Sequence, residues 1–231
     1  MGTGGHASLI PCGCAATARQ RADHMRRLGD ELGALADRTF DSFRLDRPFS
    51  PIVWDKRTIS VVAQQRFLAD AHRRAQAYAA EPRGWLYLHG AYGGGKSHLA
   101  AAIANAAVAA GRSAHFLPVG KLLDNLTAAL RDGSSDTLLA DLIACELLVL
   151  DELAPAHLAE AASDWRFGRL ERLVNERLGR PTVITANVAP DDLAGIGDLR
   201  AERIADRIAG AAVKIWLPIS SYRRLGNERT A

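Results

Sequence analysis

The run Gly90-Ala91-Tyr92-Gly93-Gly94-Gly95-Lys96-Ser97 sets a cluster of glycines directly before a lysine and a hydroxyl. Glycines at this density let successive backbone N–H groups turn inward around an anion, and a helix that begins at the lysine aims its positive dipole end at the same point. The run fits the phosphate-binding pattern G-x-x-x-x-G-K-[ST] at every specified position. In that chemistry Lys96 reaches the β and γ phosphates of ATP and Ser97 ligates Mg²⁺, with His98 opening the helix beside them. A glycine-rich turn that carries a lysine by accident is the alternative. Against it stand the apolar stretch Trp85 to Leu88 before the run and the alanine-rich helical pattern Leu99 to Ala110 after it, which supply the strand and the helix that the cradle requires.

A second constellation lies at Leu147-Leu148-Val149-Leu150-Asp151-Glu152, an apolar strand that ends in two carboxylates, the arrangement called Walker B. Ligands of open parallel sheets lie off the carboxyl ends of the strands, so the pair is expected to face the bound phosphates. Asp151 would then hold Mg²⁺ through water while Glu152 polarises the attacking water. A solvated strand end is the plainer reading of such an acid pair. Thr185-Ala186-Asn187 closes the next β-like run, where Asn187 serves either as a polar sensor of the γ phosphate or as an ordinary turn residue. Arg203 and Arg207 stand four apart on one helical face, next to Glu202 and Asp206. They are either a solvated face or, in an oligomer, the arginine finger offered to a neighbour's γ phosphate, with Arg207 preferred and Arg203 as its alternative.

These residues need a scaffold, and the pattern around them supplies one. From Gly84 onward strand and helix alternate: Trp85 to Leu88, the glycine loop with its helix, Ser113 to Val119, a helix from Lys121 to Leu130, and Leu147 to Leu150. A helix capped by Ser163 or Asp164 runs to Leu178, Pro181 to Asn187 is β-like, residues 199 to 209 are helical, and Val213 to Leu217 makes a last strand. Such alternation predicts a three-layer α/β sandwich around a parallel sheet. Upstream, Met25, Leu28, Leu32 and Leu35 recur at helical spacing within Thr17 to Arg38, weakened near Gly29 and Gly33, and a second helical pattern spans Ser60 to Ala80. Ile52 to Trp54 either flank the adenine or pack on the sheet.

At 231 residues, 48% apolar and 24% charged, the chain holds one α/β domain of ordinary size with a small N-terminal extension. Net charge is only +3, and lysine occurs only at 56, 96, 121 and 214, so arginine carries the basic character; this is compatible with nucleic acid but does not argue for it. No apolar run approaches the roughly 20 residues of a membrane span, and no signal-peptide core opens the chain, so a cytoplasmic location without membrane contact is expected. Three cysteines, Cys12, Cys14 and Cys145, form no disulfide framework, and the apolar surroundings of Cys145 suit a reduced core thiol.

Taken together, Gly90 to Ser97, Leu147 to Glu152, Ile184 to Asn187, Arg203 to Arg207 and Ser221-Tyr222-Arg223 resemble the AAA+ ATPases of the DnaC/DnaI helicase-loader family, over about residues 39–223. The resemblance implies a three-layer α/β/α P-loop NTPase core with a five-stranded parallel sheet and no C-terminal lid domain. It divides the chain into an N-terminal extension over 1–38 with a short amphipathic helix, an ATPase core over 39–223 and a tail over 224–231. It also implies an ATPase that is slow and stimulated by its partner, a replicative DNA helicase and single-stranded DNA as partners, and self-association in the presence of ATP. IstB-like transposition helpers share nearly all of these motifs. The N-terminal Ile10-Pro11-Cys12-Gly13-Cys14 and the segment Thr39-Phe40-Asp41-Ser42-Phe43 resemble loaders that carry a small cysteine ribbon. A ribbon needs two cysteine pairs for Zn²⁺, whereas this chain has one, Cys12 and Cys14, with His6 and His24 as the remaining candidate ligands. Two further readings share the phosphate loop: a small-molecule kinase, and a binding module that assembles with ATP but scarcely hydrolyses it.

Overall fold

A computed structural model describes residues 13–54, 56–162, 165–194 and 199–222. In chain order the elements are α1 (Gly13–Leu32), β1 (Ile52–Trp54), β2 (Arg57–Ile59), α2 (Val61–Ala80), β3 (Trp85–Gly90), α3 (Lys96–Ala109), β4 (Ala114–Pro118) and α4 (Val119–Arg131). They continue as α5 (Ser135–Ala144), β5 (Leu147–Leu153), α6 (Pro155–Ala162), α7 (Arg166–Glu176), β6 (Thr182–Ala186), α8 (Leu199–Ala211) and β7 (Ala212–Leu217). Among the described residues, five strands form one parallel sheet in the order β4-β5-β6-β3-β7, while β1 and β2 pair antiparallel as a separate ribbon.

The sheet is apolar on both faces because it is covered on both. Leu86 and Leu88 of β3, Val149 of β5 and Val183 of β6 turn toward α1, α2 and α3; Tyr87, Leu148, Leu150 and Ile184 turn toward α4 to α8. The alanine run of α3 is what allows close approach: Ala100, Ala101, Ala104 and Ala107 are fully buried, and small side chains let the helix axis settle near the strands. At the start of α2 the Ser60 hydroxyl accepts the Ala63 N–H at 3.2 Å, satisfying one of the free donors of the first turn.

The N-terminal helix is part of this packing. Leu28 and Leu32 are buried against α3, and Glu31 reaches the sheet margin, where it accepts the Phe116 N–H of β4 at 2.6 Å and stands 2.6 Å from His115 Nδ1. The helix begins earlier than the periodicity predicts and stops at Leu32, giving way to a 3-10 turn over Gly33–Leu35. Gly29 does not break it, and Met25, apolar and in phase, is exposed. Helices α5 and α6 and the β1-β2 ribbon were not anticipated. The capping residues Ser163 and Asp164 lie outside the described residues, as does Cys12.

Candidate functional site

Strands β3, β5 and β6 all end on the same side of the sheet, and a cleft of about 990 Å³ opens there. Its lining brings together Lys96, Ser97, His98, Glu152 and Asn187. The sequence set these residues in three separate segments; the parallel sheet makes them neighbours.

The phosphate loop leaves β3 at Gly90 and enters α3 at Lys96. Ala91 N–H donates to the Leu217 carbonyl at 3.2 Å, tying the loop to the end of β7. Glycines of the run sit at positive φ with their side-chain space filled, beginning with Gly90, at φ +137°, where a Cβ would stand 2.1 Å from the Leu217 carbonyl oxygen. A Cβ on Gly93, at φ +71°, would stand 2.3 Å from Ser221 Oγ, and one on Gly95, at φ +106°, would stand 2.9 Å from the Phe43 ring. Lys96 is buried and its Nζ donates to the carbonyls of Gly90 at 3.0 Å and Ala91 at 2.8 Å, so the ammonium is folded against its own loop. Tyr92 stands out at the loop's tip, 76% exposed. Beneath the loop, burial holds the His89 imidazole down to about 4, so it adds no positive charge beside Lys96 near neutral pH.

The acid pair is shaped by one backbone irregularity. Leu150 pairs with Ile184 and Leu153 with Ala186, so β5 carries one residue more than β6 across this stretch. The bulge falls on Asp151 and Glu152, and Glu152 takes the left-handed conformation at φ +58°. A bulge redirects side chains, and here it separates the two carboxylates: Asp151 is 4% exposed, whereas Glu152 faces the open cleft. Thr185 of β6 holds both. Its hydroxyl donates to Asp151 Oδ1 at 2.6 Å and accepts the Glu152 N–H at 2.9 Å. Burial pushes the Asp151 carboxyl up, against the hydrogen bonds from Thr185 and Ser97 that favour its charge.

These observations fit the expected ligand. Paired glycines whose side-chain space is already filled, a lysine neutralising carbonyls, and a buried carboxylate bonded to the Ser97 hydroxyl are what a triphosphate and a hard cation such as Mg²⁺ require. Asn187 follows β6 directly and lines the cleft. His98 lines the cleft on the side of the Thr39–Phe43 segment: its Nε2 stands 3.0 Å from the Thr39 carbonyl and 3.2 Å from Ser42 Oγ, and its ring meets Phe43 edge-on at 5.0 Å. Neither Arg203 nor Arg207 lines the cleft; both lie on α8, where Arg207 bonds Glu171 at 3.4 Å. Ile52 to Trp54 do not line it either.

Sequence reasoning did not assign one wall to the site, although Phe43 and Tyr222 stand in segments it singled out. Arg38, Phe43, Arg44 and Arg47, from the stretch between α1 and β1, line the cleft together with Tyr222. The density of arginine and aromatic residues in Thr39 to Phe49 was the available signal, but irregular backbone has no period to read. Cys145 is buried as expected, its thiol pushed up to about 11 by burial. No helix among the described residues is long and apolar enough to cross a membrane.

Comparison with known proteins gives the geometry a context. The family described as "IstB-like ATP binding protein" matches residues 61–230. An insertion-sequence ATP-binding protein of Mycobacterium tuberculosis is 30% identical over 143 residues, covering 60% of this chain and 55% of that protein. The replicative helicase loader DnaC of Buchnera aphidicola subsp. Acyrthosiphon pisum is 28% identical over 184 residues, 76% of this chain and 71% of the loader. The chain thus spans little more than half the length of its insertion-sequence relatives. Among solved structures, DnaI superposes with a TM-score of 0.61 at 24% identity over 82% of this chain and 93% of DnaI. The DnaC helicase loader gives 0.58 at 20% identity, covering 80% of this chain and 98% of that one. These two likenesses concern the fold.

Proposed function

Since this chain belongs to the IstB-like ATP binding protein family of DnaC-like AAA+ ATPases, we propose that it binds Mg²⁺-ATP in the cleft and hydrolyses it to drive a DNA-processing partner. The observation that carries the reading is the bulged acid pair opposite the phosphate loop, one carboxylate buried against Ser97 and the other open to the cleft.

The loop N–H groups and Lys96 receive the β and γ phosphates, for which Lys96 exchanges its two carbonyls. Ser97, and Asp151 through water, would hold the metal, which would supply neutralisation of phosphate charge. Glu152 accepts a proton from the attacking water, and Asn187 orients that water or the γ phosphate. An acceptor with the exposure of Glu152 meets water without carrying the cost that burial places on Asp151. Arg207, or Arg203 beside it, serves the cleft of a second copy, because α8 lies away from the cleft of its own chain. The same reading requires self-association in the presence of ATP, and in it hydrolysis is slow until the partner stimulates it.

The DnaC relatives favour a replicative helicase delivered to single-stranded DNA as the partner. The family match and the insertion-sequence relatives favour a transposase in the same role. Capture experiments with purified helicase and purified transposase, each with and without ATP, separate the two. The nucleotide reading itself is tested by Lys96→Ala, which removes a phosphate contact rather than a core contact. The folded variant is expected to lose ATP binding, and unchanged affinity in a nucleotide titration overturns the reading.

A further inference from the structure

The phosphate loop rests on a buried cation at the wall of the cleft. Arg47 is 7% exposed, and its Nη2 donates to the Gly94 carbonyl at 3.3 Å and the Ser220 carbonyl at 3.4 Å. The guanidinium carbon lies 5.5 Å from the centre of the Phe49 ring and 5.9 Å from that of Tyr222. Its Nε has no hydrogen-bond partner, and no acid accompanies it among the described residues. Burial draws the guanidinium down to about 10, a direction that reports how poorly the site is compensated. A buried arginine satisfied only by long bonds to two carbonyls is a weak stabiliser of the unliganded fold.

Its geometric effect is sharper. A trans peptide points its C=O and its N–H in opposite directions. By holding the Gly94 carbonyl on its own side, Arg47 turns the N–H of the same peptide, that of Gly95, away from itself. That N–H has no partner among the described residues, whereas the preceding one, Gly94 N–H, is spent on the Ala91 carbonyl at 3.3 Å. Gly95 is also where the Phe43 ring closes the space a side chain would need, so the peptide has little room to turn over.

We propose that Arg47 is the positioning residue of the anion cradle: it fixes the Gly94-Gly95 peptide so that the Gly95 N–H meets a phosphate, and its uncompensated charge is neutralised when the polyphosphate arrives. The proposal rests on the nucleotide reading and adds a residue that acts through the loop rather than on the base, so its signature is dependence on phosphate alone.

The test compares Arg47→Met, which keeps most of the side-chain volume without donor or charge, with the unaltered protein. Two ligands, Mg²⁺-ATP and inorganic tripolyphosphate, compete for a fluorescent ATP analogue. Affinity for both is expected to fall by about tenfold or more and by the same factor, while the melting temperature without ligand holds within a few degrees. Loss for ATP with unchanged tripolyphosphate binding overturns the proposal, because Arg47 then touches base or ribose. Equal affinity of variant and unaltered protein for both ligands also overturns it. Should Arg47→Met fail to fold, Arg47→Lys carries the test: its single ammonium serves one carbonyl at most, so a smaller loss, about threefold and equal for both ligands, supports the proposal, and no loss or a loss for ATP alone overturns it. Failure of the unaltered protein to bind either ligand strikes the nucleotide reading instead.

Discussion

The Thr185 hydroxyl donates to Asp151 Oδ1 at 2.6 Å and in the same position accepts the Glu152 N–H at 2.9 Å. One hydroxyl on β6 therefore favours the charge of one acid against its burial and holds the backbone of the other. Thr185→Val keeps the shape and the β-branching but leaves the Glu152 N–H and a buried carboxylate short of a partner. Stability should fall by about 1 to 3 kcal/mol, and hydrolysis should fall further than ATP binding. Urea unfolding and single-turnover hydrolysis read the two separately.

Asp151 gives a pH dependence whose sign is fixed by burial. The unfolded chain ionises this acid at its ordinary value near 3.8, whereas the folded chain holds the proton to higher pH. Stability is thus lost as pH rises through that window, and the loss is complete above the raised value. Asp151→Asn escapes it. Without metal or nucleotide, the Asn variant should melt higher than the unaltered protein at neutral pH, with the gap closing as pH falls from the raised value toward 3.8, and it should hydrolyse no ATP. Thermal melts across that range decide the matter, and a lower-melting variant at neutral pH contradicts the account.

Glu152 combines a catalytic assignment with a left-handed backbone at φ +58°. Glu152→Gln should retain bound ATP while hydrolysis slows by about 10² to 10⁴-fold, the range for a lost general base. Glu152→Gly should lose activity equally, yet relieve a conformation that costs a side chain about 1 to 2 kcal/mol. Its melting temperature should hold or rise. Hydrolysis at the unaltered rate in either variant returns Glu152 to a strand-end acid.

Arg207 is expected to act between copies. Its bond to Glu171 is partly exposed and worth at most about 1 kcal/mol, so Arg207→Ala should remain folded and bind ATP. Its hydrolysis in the assembled state should fall by up to about 10³ to 10⁵-fold. Mixing it with Lys96→Ala pairs an intact finger with an intact pocket. Recovered activity at intermediate ratios is the expected result, and none at any ratio returns the arginines to a solvated face.

What the chain disclosed in advance follows the reach of each signal. The loop at Gly90 to Ser97 and the acids after Leu150 are local patterns, and the structure brings them to one cleft. The alternation of strand and helix led to the three-layer parallel sheet because each element buries a recognisable face. Thr185 was placed next to a sensor, but its bond to Asp151 exists only because β5 and β6 are neighbours, which no local pattern encodes. Arg47 was silent for a related reason: its partners Gly94 and Ser220 are distant in sequence, and the contacts are with carbonyls, which every residue has. Helices α5 and α6 are short, ten and eight residues, and α5 has no side-chain cap at its start, so their periodicity had little length in which to appear.

Both margins of the sheet are stoppered by side chains. Glu31 takes the Phe116 N–H on β4, and at the opposite margin Arg74 of α2 donates to the Lys214 carbonyl on β7 at 3.1 Å. Each bond takes one ladder group out of use and covers part of the margin, which makes it a poorer template for another strand and so works against fibrils and strand-swapped dimers. They also constrain how copies can join. A shared ladder would be hard to undo, whereas an association of the kind proposed for Arg207 would rest on side-chain faces that can part and meet again.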